Sequence, residues 1–427
     1  MLKKLKRLGK HERVVQLGPG LITGAADDDP SGIATYSQAG AQFGYGLLWT
    51  VVVTYPLMVA IQMVSARFGC ITGRGLAANI KVAFPRSLLY LIVGLLVTAN
   101  TFNLAADISA MGDALRLLLG GSAHVYSLTF GLLCLVLQVF LSYRHYVRYL
   151  RWLTLALLSY VAVMFTIRVP WSEVLVGAVW PKLSVNHELL TMIVAVFGTT
   201  ISPYLFFWQA AQEVEDSRAA GVRGRKPHVT VKEKADVRQH LRRIRWDTYI
   251  GMGFSNIVAF FIIATTAATL HAAGITDIQT SAQAAEALRP IGGEFTFLLF
   301  SMGIIGTGLL AVPVLAGSAA YAVAESFEWR TGLDVKLREA KGFYAIIAVA
   351  TLGGVVLDFA RVNPIRELIW SAILNGVIAV PIMAVMMLLA GQQRIMGPFV
   401  IRRPLRRLGW VATAVMAISV VAMFVTF

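Results

Sequence analysis

Eleven times along this chain an apolar stretch runs for about twenty residues, the length an α-helix needs to cross the hydrocarbon core of a bilayer. The stretches fall at residues 14–38, 45–66, 88–115, 123–143, 150–168, 188–212, 246–270, 294–325, 343–360, 367–390 and 408–427. Hydrocarbon offers the backbone no water, so only helices and closed barrels can satisfy every N–H and C=O there. Runs of this length read as helices, and the fold class is an all-α polytopic membrane protein with about 11 transmembrane helices. Composition agrees: 57% of residues are hydrophobic, and 14% are charged where a soluble domain has about a quarter.

The net charge of +15 is a matter of placement rather than of a nucleic-acid partner. With the N-terminus inside, the connections on the cytoplasmic face hold 32 of the 38 Lys and Arg residues; the other face holds Arg116, Arg168, Lys182, Arg289, Arg361 and Arg366. That asymmetry is the positive-inside rule. It predicts a multi-pass protein of the cell membrane with a cytoplasmic N-terminus and, after eleven crossings, an extracytoplasmic C-terminus. The basic start, residues 1–13, reads as a retained cytoplasmic tail, without a cleavage pattern or transit peptide. Residues 213–245 read as a charged cytoplasmic loop. Two distant cysteines, Cys70 and Cys134, provide neither a disulfide framework nor a thiolate metal cluster.

The first apolar stretch contains Asp27, Asp28 and Asp29 in a row, followed by Pro30, Ser31 and Gly32. A single carboxylate at bilayer depth costs about 2.5–3.5 kcal/mol on insertion scales, so three demand a reason. Pro30 removes a backbone donor and Gly32 tolerates unusual backbone angles. The helix is predicted to break in mid-membrane, exposing carbonyls and a carboxylate to a cavity, as a cation site requires. The sixth stretch breaks similarly, with Thr199, Thr200 and Ser202 preceding Pro203. Matching interruptions in the first helix of two five-helix sets point to inverted repeats, here about 14–168 and 188–390, with one further helix at about 408–427. The whole chain, 1–427, then forms one transmembrane domain.

Residues in these places resemble the NRAMP family of divalent metal transporters. They are Gly18-Pro19-Gly20, Asp29-Pro30-Ser31-Gly32, the run from Gln38 to Tyr45, the run from Asp247 to Met252, and the segment from Ala282 to Pro290. The resemblance covers helices one to ten. It implies a LeuT-like fold of 5+5 inverted repeats with broken helices 1 and 6, and a divalent cation held between the breaks as transported substrate, with no cofactor. Family members carry Asp and Asn in helix one, and Met, His and a ligating carbonyl in helix six. Asp29 matches the Asp; Gly32 stands for the Asn, Ser202 for the Met, Tyr204 for the His, and Thr199 falls at the carbonyl. The chain resembles a divergent branch.

Losing the thioether removes the only soft ligand, and carboxylate, carbonyl, hydroxyl and water suit magnesium and manganese. Magnesium keeps several waters and uses one or two carboxylates. The site is predicted to be all-oxygen and partly hydrated, with Asp29 as main ligand and Asp28 as its partner. On helix three, Asn100, Asn103 and Asp107 share a face at i, i+3, i+7 spacing; in the resembled family an acid near the position of Asp107 belongs to a proton route. Asn375, before Pro381, can add a side-chain carbonyl. All seven histidines lie at stretch ends or in connections, leaving none in mid-membrane to carry protons.

Uptake by alternating access of Mg²⁺ or Mn²⁺ is the expected function. The alternatives are a proton-coupled Mn²⁺/Fe²⁺ symporter and a Na⁺-coupled organic-solute symporter, whose substrate carboxylate three Asp would repel. Zinc-protease, nucleophile-elbow and phosphate-loop motifs are absent from the sequence, so no enzyme is expected. The partners expected are the divalent metal ion and the lipid bilayer, with no nucleic acid. The oligomeric state is left open, a monomer being compatible with the architecture.

Overall fold

The computed structural model describes residues 19–140, 153–181, 186–219, 231–333, 335–359 and 363–426. Helices α1 (Pro19–Asp27) and α2 (Pro30–Phe43) are the halves of the first broken helix. They are followed by α3 (Leu48–Thr72), the short α4 (Leu76–Ala83), α5 (Arg86–Leu119), α6 (Ala123–Phe140), α7 (Leu158–Thr166) and α8 (Trp171–Val179). The second half opens with α9 (His187–Thr200) and α10 (Pro203–Ala219), the halves of the sixth helix, and continues with α11 (Val231–Thr266), α12 (Ser281–Ala285), α13 (Thr296–Ser326), α14 (Lys341–Asp358), α15 (Pro364–Ala390) and α16 (Arg403–Val425).

Among the described residues nine spans are long and apolar enough to cross a membrane. One of them, Pro30–Thr72, contains α2 and α3 end to end, and the fifth helix survives as the shorter apolar piece Leu155–Thr166. These two facts reconcile nine with the eleven expected. The chain is a multi-pass, all-α membrane protein. The part of the fifth stretch at 150–152, and the end of the fourth, lie outside the described residues.

Three helical segments refine the sequence reading. Residues 213–245 are not one loop: 213–219 continue α10, 231–245 form the first turns of α11, and 220–230 lie outside the described residues. The reason is an ion pair across the two helices, with Arg243 on Glu213 at 2.9 Å and on Asp216 at 3.1 Å. The connections after the second and the fifth apolar stretch each contain a short helix, α4 and α8. Helix α8 rests on the start of α3, where the glycine at 177 lets it approach the Tyr45 carbonyl.

Burial sorts the helices into centre and rim. The apolar window of the sixth helix is 89% buried inside the protein, against 28% for α6 and 33% for α16, which turn their apolar sides to lipid. Among membrane helices close approach depends on small residues rather than on apolar bulk. A Cβ added to Gly24 of α1 would stand 2.3 Å from the Gly251 backbone of α11, and one on Gly198 of α9 would stand 2.1 Å from the Ala372 carbonyl of α15. Prolines lie inside three of these helices, Pro56 in α3, Pro313 in α13 and Pro381 in α15.

On one face, the segment between α11 and α12 is stitched to three helices. Gln38 of α2 donates to the Thr276 carbonyl at 3.1 Å and accepts from the Ile278 amide at 2.9 Å. Ser281 donates to Asp113 of α5 at 2.5 Å, and Asn363, the N-cap of α15, donates to the Gln279 carbonyl at 2.7 Å. On the other face a cavity of about 510 Å³, lined by Gly75, Lys81, Glu215, Arg218, Tyr321 and Glu325 among others, opens between α4, α10 and α13.

Gly24→Leu overpacks the α1–α11 contact, a change that costs about 1–3 kcal/mol or more. The variant is expected to lose its monodisperse peak in detergent size-exclusion chromatography. Gly94→Leu, where nothing lies within 4 Å of an added Cβ, is expected to elute as the parent does.

Candidate metal site

The first break is closed by its own acid. Asp29 is extended (φ −70°, ψ 169°) and N-caps α2, its Oδ1 accepting from the Gly32 amide at 2.7 Å. Pro30 at the first helical position has no N–H to leave unpaired and brings a preset φ. The positive end of α2 therefore faces the Asp29 carboxylate. Its other oxygen accepts from Tyr204, whose hydroxyl at 3.2 Å also reaches the Ala26 carbonyl of α1 at 3.1 Å. The residue at the position of the family's His thus ties the two breaks together.

The second break is closed by Ser202. Helix α9 ends at Thr200, and Pro203 cannot donate to the carbonyls left open there. The Ser202 hydroxyl donates instead to the Gly198 carbonyl at 2.9 Å and the Thr199 carbonyl at 2.7 Å. Its proton is spent inside the helix, so toward any ligand Ser202 can offer only oxygen lone pairs. Thr200 donates to the Val196 carbonyl at 2.6 Å and meets the Tyr36 hydroxyl at 3.0 Å.

Gly32 faces this second break. A Cβ there would lie 3.2 Å from Thr199 Oγ1, 3.4 Å from Asp29 Oδ1 and 3.4 Å from the Tyr36 ring. The structure thus brings Asp29, Gly32, Thr199, Ser202 and Tyr204 into one buried neighbourhood. Asp28 turns elsewhere. Ser255 of α11 lies 2.7 Å from Asp27 Oδ2 and 3.0 Å from Asp28 Oδ1, and the other oxygen of each carboxylate has no hydrogen-bond partner. All three acids are at most 2% exposed.

Helix α5, the third membrane span, supplies the remaining candidates. Asn103 donates to Asn375 Oδ1 at 3.0 Å, so these two bond each other. Asn100 donates to the Leu315 carbonyl at 2.8 Å and to Ser318 at 2.7 Å. Asp107 is fully buried on the side of the Ser31 amide, and neither of its oxygens meets a donor in hydrogen-bond geometry. Asp113, two turns on, is held by Arg116 at 2.6 Å and Ser281, away from the breaks.

Sequence reasoning missed Ser255 and Tyr36. Ser255 stands just past the Asp247–Met252 block, and its only signal was a hydroxyl inside an apolar helix. Asp247 itself accepts from the Gly20 amide at 2.8 Å, steadying the start of α1. Among the described residues no three His, Cys, Asp or Glu side chains gather into a metal-holding group. A cation here would meet one or two carboxylates with neutral oxygens.

Comparison with known proteins fits this geometry. The chain is 27% identical over 420 residues to the divalent metal cation transporter MntH of Klebsiella pneumoniae, covering 96% of this chain and 93% of that one. It is 26% identical to MntH of Acidiphilium cryptum, over 93% of this chain and 87% of the relative. Its fold is that of a manganese transporter of Eremococcus coleocola (TM-score 0.73, 17% identity, covering 94% of this chain and 84% of the other). It is also similar to Mhp1, a nucleobase-cation-symport-1 family transporter, in a closed conformation (TM-score 0.59, 12% identity, 96% and 93% covered). The model of the Nramp family, described as natural resistance-associated macrophage protein-like, matches residues 20–426, and the chain belongs to that family.

Proposed function

We propose that this protein carries divalent metal cations into the cell, Mg²⁺ and Mn²⁺ ahead of Fe²⁺ and Cd²⁺, through a partly hydrated, all-oxygen site between its two broken helices. The observation that carries this reading is the neighbourhood of Asp29, Gly32, Thr199 and Ser202. It has a carboxylate on a helix N-terminus with the Thr199 hydroxyl across Gly32 from it, and none of these four residues supplies a sulfur or an imidazole. Hard oxygen ligands suit magnesium and manganese, whereas a thioether would favour softer metals. Asp29 is the main ligand; Thr199 contributes its carbonyl and Ser202 its hydroxyl oxygen, while the missing side chain at Gly32 leaves room for water. The cargo class is supported by relatives that are named divalent metal cation transporters.

The distribution of Lys and Arg supports an N-terminus in the cytoplasm and a last helix that ends outside. With that orientation the membrane potential alone can drive entry, at about 2.3 kcal/mol per charge per 100 mV and roughly twice that for a divalent ion. Asp28 and Asp27, bridged by Ser255, lend negative potential from the α11 side. Asn375 and Asn103 hold each other and keep α15 and α5 in register beside the site.

Purified protein in liposomes is expected to take up Mg²⁺ and Mn²⁺ under an inside-negative potential, and Asp29→Ala is expected to lower uptake by at least about tenfold, the factor for 1.4 kcal/mol of binding energy. Brisk Fe²⁺ or Cd²⁺ flux that Mg²⁺ does not compete with would refute the selectivity. Uncoupled uptake leaves the lumenal pH unchanged; acidification in step with Mn²⁺ entry would establish the proton-coupled alternative. Ser202→Met restores a soft ligand and is expected to raise Cd²⁺ flux relative to Mg²⁺, read from the two ions in parallel assays.

A further inference from the structure

Several basic side chains on the Lys- and Arg-rich face have an acid beside them. Arg243 pairs with Glu213 and Asp216, Lys81 with Glu328, and Arg330 with Glu339. One group of arginines is left without. Among the described residues no acid lies within ion-pair distance of Arg67 near the end of α3, Arg245 on α11, or Arg402, Arg403 and Arg406 where α16 begins. Neither α3 nor α16 contains a single Asp or Glu. The α16 arginines moreover add to the positive end of their own helix dipole.

Packing brings the three helix ends to one level. Asn256 donates to the Val51 carbonyl at 2.7 Å, the Tyr55 hydroxyl to the Tyr249 carbonyl at 3.2 Å, and Ile244 packs with Ala66 and Cys70. Helices α3 and α11 therefore run antiparallel, with Arg67 opposite the turn that carries Arg245. A Cβ on Gly409 of α16 would stand 3.6 Å from Ile61 Cδ1 of α3. Six residues from each of these toward the basic face, about 9 Å along either axis, stand Arg67 and Arg403. Arg67 is half-buried and the other four are exposed. The charges of Arg245 and Arg402 both bear on Arg67.

Like charges gathered without a counter-charge repel one another, and the surroundings say what offsets them here. Trp246, Tyr249 and Trp410 are exposed and stand one to four residues into the spans from Arg245 and Arg406, the first two rings 6.3 Å apart. Tryptophan and tyrosine gather at the depth of the lipid headgroups. Beyond them Ile250 and Val411 expose apolar surface. A guanidinium gives phosphate oxygens two parallel N–H bonds. The arrangement runs from phosphate chemistry through an aromatic belt to acyl-chain surface, whereas a soluble phosphate would use only the first part.

We propose that Arg67, Arg245, Arg402, Arg403 and Arg406 bind an anionic phospholipid of the cytoplasmic leaflet, whose phosphate joins the ends of α3, α11 and α16.

The test titrates the full-length protein in detergent micelles with phosphatidylglycerol or phosphatidylcholine. Bound lipid is counted by native mass spectrometry while the melting temperature is followed. The parent is expected to bind phosphatidylglycerol at least about tenfold more tightly than phosphatidylcholine, and to melt higher as it is added, as a ligand of the native state requires. Arg402→Gln/Arg406→Gln, at two exposed positions, is expected to fold as the parent does and to weaken phosphatidylglycerol binding by at least about tenfold. Arg67→Gln/Arg402→Gln should do the same. Lys336→Gln/Arg338→Gln removes as much charge from the same face, beside α6, and should leave binding unchanged. Equal binding of the two lipids by the parent overturns the proposal. An equal loss in the cluster and control variants also overturns it, in favour of a general attraction of the basic face. Glycerophosphoglycerol, the headgroup without its acyl chains, binding as tightly as the lipid would assign the arginines to a soluble anion instead.

Discussion

A helix interrupted inside a bilayer must find partners for the backbone groups its interruption releases, and the centre of this molecule is built around that requirement. The first break is capped by Asp29 and the second by Ser202, each through its own side chain. The two closures are not independent. Tyr204, in the first turn after the second break, shares its hydroxyl proton between Asp29 and the Ala26 carbonyl near the end of α1. Pro30 stands where a donor would have no acceptor, and the carbonyls that Pro203 cannot serve are taken by Ser202.

The same economy leaves the centre rich in acceptors and poor in donors. Asp27, Asp28, Asp29 and Asp107 are all buried. Among the described residues none is ion-paired with Lys or Arg. Charges taken out of water without a partner are strongly unfavourable, so the resting protein holds an electrostatic debt that a divalent cation or protons must relieve. The basic side chains are spent elsewhere: Arg243 on Glu213 and Asp216 between α10 and α11, and Lys81 on Glu328 near the cavity.

The spans and both breaks were legible because each is a local signal: apolar length, and a proline with polar residues before it. The departures at Gly32, Ser202 and Tyr204 were legible only against a family pattern, which gave their positions but not their bonding. That Ser202 spends its proton on its own helix, or that Tyr204 crosses to Ala26, depends on where chain ends meet in space. Ser255 lies 227 and 228 residues from the acids it touches, and nothing near it in sequence announces them. The helical start of α11 was hidden because its basic residues look like a loop until Glu213 is placed beside Arg243.

The contact of Gly24 with Gly251 has a mechanical meaning. Backbone lies on backbone with no side chain between to re-pack, so α1 and the facing part of α11 have no slack for sliding or rolling. They pack as one strut, with Asp27 of α1 bonded to Ser255 of α11, and the start of α1 is further bolted to Asp247. What can swivel is the pair of non-helical residues that ends the strut, Asp28 and Asp29. The joint of the machine and the grip on its cargo would then be adjacent residues, so that taking hold of an ion stiffens the very hinge on which it is carried.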